Sequence, residues 1–158
     1  MANKYGWLIG IGAYLLWFVV AALGFWLALQ LRTSIEITMI GLYARDDLSR
    51  ARVAGFMDKI AFSMLICAWV VGIVMAEGYF RGGVKSHLLM KRFAMIFGPG
   101  LLVLFLVDLF NLLILGIRSA SWWQWLLLAG ELLIGVMITR YGYKALTAAP
   151  AGAPRVSP

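Results

Sequence analysis

Four stretches of this chain are long enough and apolar enough to cross a lipid bilayer, and that feature limits its fold more than any other. They are residues 7–31 ("WLIGIGAYLLWFVVAALGFWLALQL"), 60–80 ("IAFSMLICAWVVGIVMAEGYF"), 93–117 and 122–143. About 20 mostly apolar residues in a helix, rising 1.5 Å each, cover the roughly 30 Å of hydrocarbon in a bilayer. Hydrophobic residues make up 63% of the chain and charged ones 13%, outside the usual range for soluble domains. The expected fold is an all-α, integral membrane four-helix bundle, formed as one domain by residues 1–146. Lys4 ahead of the first run resembles the start of a signal peptide. The run is too long for a signal core and no small-residue cleavage site follows, so it reads as an uncleaved first span.

The fourth run fixes the membrane frame. Trp122, Trp123 and Trp125 open it, and Arg140, Tyr141, Tyr143 and Lys144 close it, giving an interfacial anchor at each end. With four spans, Lys4, Arg81, Lys85, Lys91, Arg92, Arg140, Lys144 and Arg155 fall on one side. Arg32, Arg45, Arg50, Arg52, Lys59 and Arg118 fall on the other. The small excess on the first side favours cytoplasmic termini in a cell inner membrane.

The basic residues also bound the partners. The net charge is +7, but the cations flank apolar runs instead of forming a stripe on a soluble face. Anionic lipid headgroups are their natural counter-charge, and nucleic-acid binding is not expected.

Between the first two spans, "RTSIEITMIGLYARDDLSRARVAGFMDK" mixes Ile, Met and Leu with charges, and Asp46 precedes Arg50 by one helical turn. It reads as an amphipathic interfacial segment lying on the membrane surface, or as a helical extension of the hairpin. The next connection, "RGGVKSHLLMKR", is short, basic and glycine-rich. The tail, residues 147–158, holds three of the four prolines and is expected to be disordered.

Helices in a bilayer associate through small residues that let them approach closely. The first span offers Gly6, Gly10, Ala13, Ala21, Gly24 and Ala28 at three- and four-residue steps, and the second offers Ala68, Gly72 and Ala76. These ridges mark contacts within the bundle or with a different subunit. The "GPG" at residues 98–100 is expected to kink or partly unwind the third span, and an unwound turn could offer carbonyls to an ion.

Two acids stand out. Asp108 lies ten residues before Arg118, and Glu131 ten residues after Ser121. On adjacent antiparallel helices this puts both about 15 Å deep, at matched depth. Asp108 shares a face with Asn111, and Glu131 with Gln124, Gly135 and Thr139. A charge at the bilayer centre costs at least about 2.5–3.5 kcal/mol, and no Lys or Arg falls within hydrocarbon depth. At least one of the two acids is therefore expected to carry a proton at neutral pH, with the pair titrating as one unit if they touch. Three roles are open: a neutral hydrogen-bonded pair holding helices in register, a proton or cation site, and a site for a basic group or ligand from a partner.

The chemistry that is missing narrows the function. Cys67 is the lone cysteine, so the chain has no internal disulfide. His87 is the lone histidine, which excludes bis-histidine haem ligation and a multi-histidine metal site within one chain. His87 could bind a single pigment or haem from one side or touch a quinone, or it could be an ordinary interfacial residue. No nucleotide fingerprint or serine–histidine–acid arrangement is readable, and the sequence selects no particular cofactor. Two main functions follow. One is a non-catalytic accessory or assembly subunit of a larger membrane complex. The other is a small homo-oligomeric proton- or cation-coupled transporter using Asp108 and Glu131. An enzyme acting on a lipid-soluble substrate is the least favoured.

Overall fold

The computed structural model describes residues 4–43, 48–85, 88–115 and 121–147. Asp46, His87, Arg118 and the tail from residue 148 lie outside these, as do the surroundings of Gly6. All described residues but Leu88 and Ser121 are α-helical. The helices are α1 (Lys4–Tyr43), α2 (Leu48–Lys85), α3 (Leu89–Leu115) and α4 (Trp122–Thr147). Each is long and apolar enough to span a membrane, and only 6–17% of each spanning window is buried within the chain. Apolar side chains therefore face outward, as a lipid solvent requires and water would not allow. The chain is a multi-pass membrane protein with an all-α four-helix fold.

The segment between the first two spans continues both helices. At 40 and 38 residues, α1 and α2 are each about 60 Å long, well beyond the hydrocarbon thickness. The sequence shows why α1 does not stop where its apolar run ends. No proline follows Leu31 within the helix. Thr33, Ser34 and Thr38 turn their hydroxyls back to carbonyls one turn earlier, at 2.7–3.1 Å. Their polar groups are satisfied locally, and the helix passes from apolar to polar composition intact.

α1 and α2 pack antiparallel. The Trp17 indole N–H donates to the Ile73 carbonyl (3.2 Å) and that of Trp69 to the Ala21 carbonyl (3.0 Å). Each buries a large ring while pairing its one donor, which no water in the bilayer core could do. Further along, Arg32 joins Asp58 at 3.1 Å and lies 4.6 Å over the Phe62 ring. At the opposite end Arg92 folds over the Tyr79 ring and donates to the Tyr79 carbonyl. That ties the start of α3 to the end of α2.

α1 and α3 run parallel, with Leu23 against Gly100 and, eleven residues further along each helix, Ser34 against Asn111. α3 and α4 run antiparallel through glycine contacts: Gly98 against Thr139, Gly135 against Leu101 and Leu102, and Gly142 against Ala94 and Met95. Pro99 lies inside α3, and the helix continues through it from Leu89 to Leu115 without an unwound turn. The flanking glycines serve close approach instead, Gly98 towards α4 and Gly100 towards α1.

Among the described residues no Cα of α4 comes within 8 Å of one in α1 or α2. α4 is held by α3 alone, so the bundle is open on that side.

Candidate functional site

Because α1 and α4 both rest on α3 but not on each other, a cleft of about 340 Å³ runs between them. Its floor is Asp108, Asn111 and Leu112 of α3. Gln30 and Thr33 of α1 form one wall, and Gln124, Leu127 and Leu128 of α4 form the other. Five of these eight residues are polar, in a protein whose other surfaces are largely apolar.

Helical spacing gathers them. Gln30, Thr33 and Ser34 share a face of α1, as Asp108, Asn111 and Leu112 share one of α3. Buried Ser34 and Asn111 lock the two helices, the Ser34 hydroxyl lying 2.6 Å from Asn111 Oδ1 and 2.9 Å from the Gln30 carbonyl. A hydroxyl has one proton, so it donates to one of these. Rotating the Asn111 amide lets Ser34 donate to Gln30 while accepting from Asn111. Gln124 holds the start of α4, its Oε1 accepting the Ser121 backbone N–H at 2.8 Å while its own N–H reaches the Ser121 carbonyl at 3.0 Å. This is the return half of a capping box.

Asp108 and Glu131 come within hydrogen-bonding reach of each other across the α3–α4 interface. Glu131 Oε2 is buried and has no hydrogen-bond partner among the described residues. Among the described residues neither acid feels a basic group: the one charged or hydrogen-bonding influence on each is the other acid. Two carboxyls can hydrogen-bond only if one supplies a proton. The pair as placed accommodates one shared proton and one negative charge. Glu131 lies within about 3 Å of the level midway between the Trp125 and Arg140 belts of α4, and Asp108 about 10 Å inside the end of α3 at Leu115. The Arg32–Asp58 ion pair sits near the Ser34–Asn111 level, beside the tryptophan belt. Below the acids, the Gly135–Leu102 and Gly98–Thr139 contacts close the α3–α4 interface.

The other residues singled out in the sequence are dispersed. Thr139 is two turns beyond Glu131, donating to the Gly135 carbonyl at 2.7 Å and packing on Gly98; it does not reach the cleft. His87 lies outside the described residues. Of the small-residue ridges, Ala13, Ala28 and Ala76 are buried. Gly24 makes room for the Trp69 ring, 3.1 Å from where a Cβ would stand, while Gly10 and Gly72 face open space. Ala21, Gly24, Ala28, Ala68, Gly72 and Ala76 line a second, almost wholly apolar groove of about 610 Å³ between α1 and α2, with Ile96 of α3 at its edge. Tryptophan rings standing on small residues hold the backbones apart there.

Reading the first span as ending at Leu31 missed Thr33 and Ser34, and Gln30, one residue inside that run, was passed over with them. The signal was their three- and four-residue spacing, visible once α1 is continued past the apolar run. Among the described residues no cluster of His, Cys, Asp and Glu is large enough to hold a metal ion. No protein family, curated protein or solved structure matches this chain.

Proposed function

We propose that this chain is a non-catalytic accessory or assembly subunit of a larger membrane protein complex, in a cell inner membrane with both termini on the cytoplasmic side. The observation that carries this reading is the open bundle. Among the described residues α4 makes close backbone contact with α3 alone, a polar cleft lies between it and α1, and a 610 Å³ apolar groove lies between α1 and α2. Gly72 in that groove has nothing opposite it within the chain. A bundle sufficient to itself would close such gaps by packing, because interhelical contact is the main attraction available in lipid. The single histidine and single cysteine fit a subunit that supports chemistry done elsewhere.

A second reading, a small homo-oligomeric proton- or cation-coupled transporter, is favoured by the facing carboxyls Asp108 and Glu131. Isolation in mild detergent at native abundance separates the two. On a native gel the accessory role expects a defined larger band containing other membrane polypeptides in fixed ratio by mass spectrometry. A clean homo-oligomer would sink it and favour transport.

A further inference from the structure

The cleft between α1 and α4 has a composition that selects an occupant. Its depth carries an acid, its rim carries neutral hydrogen-bonding groups, and Leu112, Leu127 and Leu128 form an apolar wall. Asp108 and Glu131 lie within hydrogen-bonding reach of each other, a pairing that one shared proton and one negative charge satisfy, and among the described residues no basic side chain acts on either acid. Arg32, although one turn from Gln30 and Thr33, is committed to Asp58 and Phe62 on the α2 side. Glu131 Oε2 is buried without a partner among the described residues, and the pair opens on the cleft through Asp108.

We infer that this cleft receives one basic side chain, Lys or Arg, from a membrane-spanning helix of a different polypeptide, its cationic head against Asp108 and its aliphatic stem along the leucine wall. The inference rests on the accessory-subunit reading and names what that subunit binds. The match is chemical. A Lys or Arg supplies only donors at its head, and the cleft offers acceptors: the Asp108 carboxylate, the Gln30 amide oxygen, and the Thr33 hydroxyl, whose own proton goes to the Leu29 carbonyl. Its stem is apolar, as snorkelling residues require. A bare inorganic cation fits less well, since a space of 340 Å³ holds about ten waters and presents few anionic oxygens. A lipid ammonium would have to leave the headgroup layer to reach a pair near the mid-level of α4. In a second copy of this chain, Arg32, the cation beside the cleft residue Thr33, is already committed to Asp58 and Phe62.

The test uses the full chain in its native membrane. A photo-crosslinking residue at Leu127, which is 64% exposed on the cleft wall, is irradiated before extraction, and the crosslinked peptide is sequenced. Asp108→Asn and Leu127→Trp variants are then compared with wild type for recovery of that partner in mild detergent. The expected result is a crosslink to a spanning helix of another polypeptide with a Lys or Arg within one turn. Recovery should fall by about tenfold or more in both variants. Asp108→Lys paired with an acid at the partner's basic position should restore it. If Asp108→Asn fails to fold, by circular dichroism and gel filtration, Leu127→Trp decides, since it fills the cleft without touching the acids. A crosslink to lipid only, to a second copy, or to a helix with no basic residue overturns the inference. So does a partner retained by both variants, which leaves the accessory reading standing. Absence of any partner with the wild-type chain removes both.

Discussion

At Gly98 a Cβ would stand 2.5 Å from Thr139 Oγ1 and 2.8 Å from the Thr139 backbone nitrogen, whereas at Gly72 it would meet nothing within 4 Å. A glycine in a spanning run means a close backbone in one case and an unfilled groove in the other. Gly98→Leu is expected to force α3 and α4 apart and to lower stability by about 1–3 kcal/mol, the usual cost of overpacking. Gly72→Ala should stay within about 0.5 kcal/mol of wild type. Reversible denaturation in detergent micelles reads both, and equal effects at the two sites would contradict the packing described. For the acids, the expected signature is a protonated-carboxyl stretch in the infrared spectrum at neutral pH, lost in Glu131→Gln. A spectrum with both acids ionised would refute the shared proton. The matched depth of Asp108 and Glu131 was legible from their equal spacing about the turn. The partners Thr33 and Ser34 were not, because hydropathy ends the first span just before them, and Gln30, inside that run, stood there as a single polar residue.

At the scale of elements, two tryptophans and one serine–asparagine pair hold the helices in register. Trp69→Phe keeps the ring over Gly24 and removes the bond to the Ala21 carbonyl. It should cost about 0.5–1.5 kcal/mol, the net value of one hydrogen bond. Ser34→Ala leaves the Asn111 amide buried with one partner fewer. It should cost about 1–3 kcal/mol, more than the serine bond alone is worth. A double-mutant cycle with Asn111→Leu should recover part of that loss, and strict additivity would show that the two side chains do not couple. The hairpin register between α3 and α4 was readable from the short turn. The helical course of residues 32–43 and 48–59 was one of two options the sequence left, and hydroxyls of α1 folding back on their own helix decide for it locally. Pattern alone cannot show this, because Thr and Ser are equally at home in caps and turns.

On the scale of the whole molecule, outward-facing apolar surface identifies the solvent as lipid, and this was the most legible property of all, following from run length and composition. Which helices touch was not legible. Every run is apolar all round, so no face announces its neighbour, and the absence of contact between α1 and α4 comes from packing that glycines on α3 and α4 direct. The transport reading makes its own prediction at this scale. In liposomes containing only this chain, the accessory account expects no proton flux above the lipid background, and flux abolished by Asp108→Asn with folding intact would favour transport instead.

Both the proposed role and the basic-residue site depend on the cleft staying open in the chain itself, and disulfide trapping measures that directly. In a Cys67→Ser background, Thr33→Cys with Leu127→Cys places one thiol on each wall of the cleft. Ala94→Cys with Gly142→Cys places a pair across the packed α3–α4 interface as a positive control. A disulfide needs Cα atoms within about 7 Å, and no such approach exists between α1 and α4 among the described residues. Under mild oxidation of the isolated chain the control pair should close and the cleft pair should not. Rapid closure of Thr33→Cys with Leu127→Cys would mean that α1 and α4 pack together, and that no room is left between them for a partner.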